Sequence, residues 1–180
     1  MKKILRLSFI LFLVCAIVAG VLGGIYELTK DAIEEQKNAK TARAYAAVLE
    51  AKFYTDVIYD EAAFPTIDTI AKSGSNNGHV VVTTFSGAQG SITMVVGVDK
   101  EYKCTGISFI SHSETSGLGA NAASTAKVGV DFRAQFVGQD ETVALSKAGG
   151  EIDALTGATI TSRAVTNAVA TAIQAVKSLG

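Results

Sequence analysis

The chain opens with an uncharged run of twenty residues, Leu7 to Tyr26 (LSFILFLVCAIVAGVLGGIY). As a helix rising about 1.5 Å per residue, this run spans about 30 Å, the thickness of a bilayer's hydrocarbon core. Only a helix can satisfy its own backbone polar groups there. Lys2, Lys3 and Arg6 lie on its N-terminal side, and no acid does. That asymmetry predicts a cytoplasmic amino end and a body on the far side of the membrane. A cleaved signal peptide has an apolar core of about 7–15 residues followed by a small-x-small site. This run is longer and Val18-x-Gly20 is a poor site, so residues 1–26 are read as an uncleaved anchor. The Gly20-x-x-x-Gly24 spacing permits close helix–helix contact, but chance small residues give the same pattern.

From Glu27 to about Lys52 the chain is rich in Ala, Lys, Glu and Gln and lacks Gly and Pro, which favours helix. Tyr45, Val48, Leu49 and Phe53 fall at i, i+3, i+4 and i+8, a buried stripe. Residues 27–72 are therefore read as a juxtamembrane helical segment, broken at Phe64-Pro65. Gly74 to Gly78 (GSNNG) reads as a turn. Val80–Phe85, Ile92–Val98 and Lys103–Ile110 are strand-like, and their short connections predict antiparallel neighbours. Residues 117–138 read as partly helical and Val143–Ser146 as a short strand. From Ile160 onward Ile160, Ala164, Val165, Ala168, Val169, Ala172, Ile173 and Val176 line one apolar helix face. The predicted fold class is α+β: a single N-terminal transmembrane helix, then a mostly antiparallel sheet flanked by helices, with 73–180 as the functional domain.

Composition narrows the chemistry. Of 180 residues, 48% are hydrophobic and 18% charged, so the chain is neither disordered nor a polyelectrolyte. Beyond the head, thirteen basic residues face seventeen acids, which gives no reason to bind nucleic acid. Cys15 and Cys104 form no CxxC pair and the only histidines are His79 and His112, so a zinc site is not expected. Gly117-x-Gly119-x-x-Ala122 formally fits the dinucleotide fingerprint, but six residues separate it from the preceding strand and no βαβ unit surrounds it.

Two stretches could carry chemistry. Asp153 to Ser162 (DALTGATITS) leads into the last helix and clusters the hydroxyls of Thr156, Thr159, Thr161 and Ser162. A helix start offers free N–H groups and a positive dipole end, with Arg163 as a counter-charge for a phosphate. The same residues also make an ordinary capped helix, since Ser and Thr are favoured caps. Both readings stand on the residues alone. The second stretch, Ser111 to Gly119 (SHSETSGLG), follows the third strand-like run. His112 and Glu114 there are an acid/base pair or a surface hydrogen bond.

Asp153–Thr159 (DALTGAT) resembles the flavinylation motif of the FMN-binding domain family. His112–Gly119 (HSETSGLG) resembles the same family's second motif, usually written ETPGLG; Ser116 stands where proline is usual, losing a fixed φ. With the amino-terminal helix, nearly the whole chain resembles the G-subunit family of RNF electron transport complexes and is similar to the C-subunit family of sodium-translocating NADH:quinone reductases. The resemblance implies FMN joined by a phosphoester to Thr159, with Asp153, Thr156, Gly157 and Ala158 in the recognised motif. It implies Glu114, Thr115, Gly117, Leu118 and Gly119 beside the flavin, no catalytic acid or base, and no metal.

The implied partners are a flavin transferase using FAD as donor, the other membrane and peripheral components of an RNF-type complex, and the lipid bilayer. The implied role is an electron-carrying component of an ion-translocating ferredoxin:NAD oxidoreductase rather than a self-contained enzyme. The expected location is a bacterial inner membrane, single-pass, with the soluble domain extracytoplasmic. The alternatives are a covalent-FMN module of another reductase or respiratory chain, and a membrane-tethered binding domain without electron transfer.

Overall fold

The structure is a computed structural model describing residues 2–75 and 77–179. Met1, Asn76 and Gly180, which belong to the predicted anchor, the predicted turn and the end of the predicted functional domain, lie outside the described residues. The chain forms two compact units, Met1–Lys40 and Thr41–Gly180.

The first unit is helical. Helix α1 runs Lys2–Val48, and its apolar stretch is long enough to cross a membrane by length and composition. Leu7, Phe9, Leu11, Phe12, Val18 and Leu22 are all exposed. A row of exposed apolar side chains in water would be costly, and lipid removes that cost.

In the second unit the strands are β1 (Tyr54–Val57), β2 (Ile67–Ser73), β3 (His79–Ser86), β4 (Ser91–Val98) and β5 (Cys104–His112). They pair antiparallel in sequence order, β1-β2-β3-β4-β5. The predicted strands are therefore present as β3, β4 and β5. Two more, β1 and all of β2 but its last residue, Ser73, fall in the stretch 27–72 read as a juxtamembrane helical segment. The β4–β5 turn is closed by Asp99, whose Oδ1 accepts the N–H of Glu101 at 2.8 Å and of Lys103 at 2.9 Å. This is the turn chemistry that Asp supplies well.

Side chains alternate across each strand, so the sheet buries both faces. Val81, Met94, Val96, Val98 and Ile107 enter the larger core beneath helix α3 (Thr159–Lys177) and helix α2 (Lys127–Ala134). Val80, Val82 and Val95 point the other way and meet Ala44 and Val48 from the last turns of α1. Helix α3 contributes Val165, Val169, Ala172, Ile173 and Val176 to the larger core, as the predicted face requires, but Ile160 is exposed. Phe53 is also exposed, because α1 ends at Val48 and the stripe stops there. Val143–Ser146 forms no strand; a single parallel bridge joins Leu145 to Ile152.

Cys104 is packed in the larger core, and burial pushes its thiol up to about 12. The thiolate is the reactive form. In a full-length Cys15→Ser variant, Cys104 is therefore expected to resist a thiol reagent at pH 8 until denaturant is added; labelling of the native chain at the denatured rate would contradict this packing.

Candidate functional site

The last helix begins without a conventional cap. Its N-cap residue is Ala158, and among the described residues no side chain caps the backbone N–H groups of the first turn. The ordinary capped-helix reading of the hydroxyl cluster is thus not what the chain adopts. Ser162 is buried and points inward, accepting the Leu155 N–H at 3.0 Å and donating to the Ala158 carbonyl at 2.9 Å. Gly157 sits at φ +74°, a conformation that glycine enters freely. It turns the chain so that Thr159 becomes the first helical residue, exposed to solvent. Helix starts leave N–H donors open and concentrate positive potential there. This start fits a bound phosphate.

The second loop meets the first. Residues Glu114 to Gly119 fold back so that Leu118 lies against Gly157. Between them opens a cleft of about 310 Å³, lined by Ala88, Gln89, Glu114, Thr115, Leu118 and Gly119 on one side and Gly157–Thr161 on the other. Leu118 and Ile160, both exposed, give the cleft apolar rims. A second hollow of about 380 Å³, lined by Ser146, Lys147, Asp153 to Gly157 and Thr159, adjoins it. Gly157 and Thr159 line both. A phosphorylated, partly aromatic group suits this combination of open amides, an exposed hydroxyl and apolar edges.

Glu114 does not pair with His112 as an acid/base couple. It is buried, while His112 is exposed. Its Oε1 accepts the N–H of Ala88 at 2.9 Å and of Gln89 at 3.1 Å, and its Oε2 accepts the Thr161 hydroxyl. Burial alone would raise the Glu114 carboxyl, but the bonds from Thr161, Gln89 and Ala88 outweigh it and hold the group below the usual carboxylate range. Asp153 and Thr156 are exposed; Asp153 is fixed through its backbone, whose N–H donates to Gln135 at 2.7 Å. Gly117 is at φ +78° and exposed, and Thr115 accepts the Leu118 and Ala120 N–H groups through its carbonyl.

The structure thus gathers Glu114, Thr115, Leu118, Gly119, Gly157, Ala158 and Thr159 around one cleft. Asp153 and Thr156 line the adjoining hollow, and Gly117 lines neither. Sequence reasoning missed Ala88 and Gln89, and missed that Thr161 serves Glu114. No local signal marks the turn at 87–90 (GAQG) as more than a hairpin.

Residues 87–174 match the FMN-binding domain family, and residues 1–48 match the RnfG N-terminal region. The G subunit of an ion-translocating oxidoreductase complex from Methanosarcina acetivorans is 33% identical over 185 residues, covering 96% of this chain and 94% of its own length. The chain belongs to this G-subunit family. Another member, from the Na(+)-translocating ferredoxin:NAD(+) oxidoreductase complex of Acetobacterium woodii, is 32% identical over 200 residues, covering 99% of this chain and 94% of its own length. As a G subunit, the protein is an FMN-binding electron-transport component of an ion-translocating oxidoreductase complex, carrying one N-terminal helix long enough to cross a bilayer. Its fold is shared with the C subunit of the Na(+)-translocating NADH-quinone reductase from Parabacteroides distasonis. That match has a TM-score of 0.57 at 17% identity and covers 82% of this chain and 94% of that one.

Proposed function

We propose that this protein carries FMN joined through its phosphate to Thr159 Oγ1 and relays electrons within a ferredoxin:NAD oxidoreductase. One observation carries the reading: Thr159 stands exposed as the first residue of a helix whose start no side chain caps. Bound there, FMN supplies the redox chemistry. The chain's own residues hold and orient it. A phosphodiester on Thr159 keeps one negative charge, which the open amides and positive dipole end of α3 stabilise. Arg163 lies one turn further on, exposed and outside the side-chain ion pairs among the described residues, and offers a guanidinium to the same charge. Asp153, Thr156, Gly157 and Ala158 present the threonine to a flavin transferase. Glu114, Thr115, Leu118 and Gly119 flank the isoalloxazine ring, with Gly117 turning the loop that carries them and Leu118 and Ile160 supplying apolar contact.

Intact mass tests the attachment. Full-length chain co-produced with a flavin transferase is expected to gain the mass of one FMN less one water, and to keep it through denaturation. An unmodified chain, or colour that washes out on unfolding, overturns the phosphoester.

Residues 7–26 anchor the protein in the cytoplasmic membrane with the amino end inside and the FMN domain outside. This orientation follows from Lys2, Lys3 and Arg6. Glu61 is exposed, and the buried Cys104 adds no background. In a Cys15→Ser background, Glu61→Cys is expected to react with an impermeant maleimide in whole cells. Labelling only after lysis reverses the orientation.

A further inference from the structure

The flavin cleft has three walls, and one carboxylate ties the third, a hairpin turn, to the other two. The Gly87–Gly90 turn joins β3 to β4, Glu114 follows β5, and Thr161 lies in the first turn of α3. These segments are remote in sequence, and the Glu114 side chain is bonded to both of the others. Two glycines leave room for it. A Cβ on Gly87 would strike Oε1, and a Cβ on Gly119 would strike Oε2 and the Thr161 hydroxyl. The socket is therefore built around this carboxylate. Three donors converge on its two oxygens, the arrangement that favours the ionised form, which only accepts.

We infer that Glu114 is a positioning residue: as a buried carboxylate it clasps the 87–90 turn to the start of α3, making Ala88 and Gln89 the third wall of the flavin cleft, and its fixed negative charge lowers the flavin's reduction potential. This rests on the FMN assignment above for its second part only. The clasp itself concerns the protein alone. The electrostatic part follows from charge balance. When an oxidised flavin takes two electrons from a donor and one proton from solvent, it gains one net negative charge. A carboxylate lining the same cleft opposes that gain, and its burial keeps the opposition from being screened as it would be in water.

Two substitutions separate the parts. Glu114→Gln keeps the shape: its carbonyl oxygen can accept from Ala88 and Gln89, and its amide can donate to Thr161 Oγ1, so the clasp survives and the charge goes. Glu114→Ala removes both. The first readout is hydrogen exchange over the peptide containing residues 85–92, in the full-length, flavin-free chain in detergent. Exchange is expected to be at least tenfold faster in Glu114→Ala and near wild type in Glu114→Gln. Unchanged exchange in Glu114→Ala overturns the clasp. Should Glu114→Ala fail to fold, Thr161→Val, which removes one donor and preserves volume, is expected to speed the same exchange severalfold; no change there overturns it equally.

The second readout is a reductive titration of the flavin-loaded chain with dithionite against a reference dye, after intact mass has verified the adduct. Glu114→Gln is expected to shift the reduced-to-oxidised ratio at a fixed potential about tenfold toward reduced, about 30 mV for a two-electron couple. An unmoved ratio overturns the electrostatic part. A wild-type chain that carries no adduct overturns the FMN assignment instead, and leaves the exchange result to decide the clasp.

Discussion

Thr159→Val is expected to abolish covalent flavin while leaving the fold intact. Valine is nearly isosteric with threonine, and both are β-branched with similar helix propensity. Thr159 is exposed, and its hydroxyl donates no hydrogen bond among the described residues, so the stability change should stay within about 0.5 kcal/mol. Intact mass should show the unmodified chain, and thermal unfolding of the flavin-free protein should move by no more than about 2 °C. Thr159→Ser, which restores the hydroxyl, should recover part of the adduct. The neighbouring hydroxyls make the test discriminating. Thr161 is buried against Glu114, and Ser162 is buried between Leu155 and Ala158. Thr156 is the other exposed hydroxyl of the motif. An adduct persisting in Thr159→Val would therefore point to Thr156, and loss in Thr156→Val alone would move the attachment there.

Ile173→Ala should give the largest loss of stability with the least effect on attachment. Ile173 is fully buried in the larger core, on the face that α3 presents to the sheet. Removing three carbons leaves a cavity, and such changes cost about 2–5 kcal/mol. At about 2–4 °C per kcal/mol for a domain of this size, thermal unfolding should fall by about 10 °C. Ile173 lies fourteen residues beyond Thr159 on the same helix, about 21 Å along its axis. Flavin content measured well below the new midpoint should therefore stay near wild type. Gln174→Ala, exposed on the same turn, is the control and should shift the midpoint little. Equal shifts in the two variants would refute the burial assigned to this face.

The sequence was most legible where one physical demand dominated. In β3 and β4 it was β-branched density, in α3 the 3.6-residue period, and in residues 7–26 unbroken apolarity. It was least legible where pairing partners decide. β2 (IDTIAKS) has no clean alternation, because its register against β3 shifts between Ile67 and Thr69 and breaks the period of two. β1 is only four residues, Tyr54–Val57, with both middle positions exposed. Ile160 fits the apolar period of α3 yet stays exposed, because it rims a cleft instead of facing the sheet. At the site, Thr159 and the Glu114 loop stood out because their residue patterns are distinctive. Ala88 and Gln89 did not, since what ties them to the site is one side chain 25 or 26 residues away, and nothing local encodes that bond.

Every strand pairs only with its neighbours in the chain, so each can dock as soon as it emerges, with short loops to close. Helix α3 comes after all of them and supplies both the lid of the larger core and the residue proposed to accept the flavin. As the chain is made, the meander can assemble while that helix is still missing, and until it arrives the apolar underside of the sheet is covered only in part, by α2. Under the attachment proposed above, a transferase would act on a finished domain, and the flavin would mark a chain whose synthesis has run through to the closing helix.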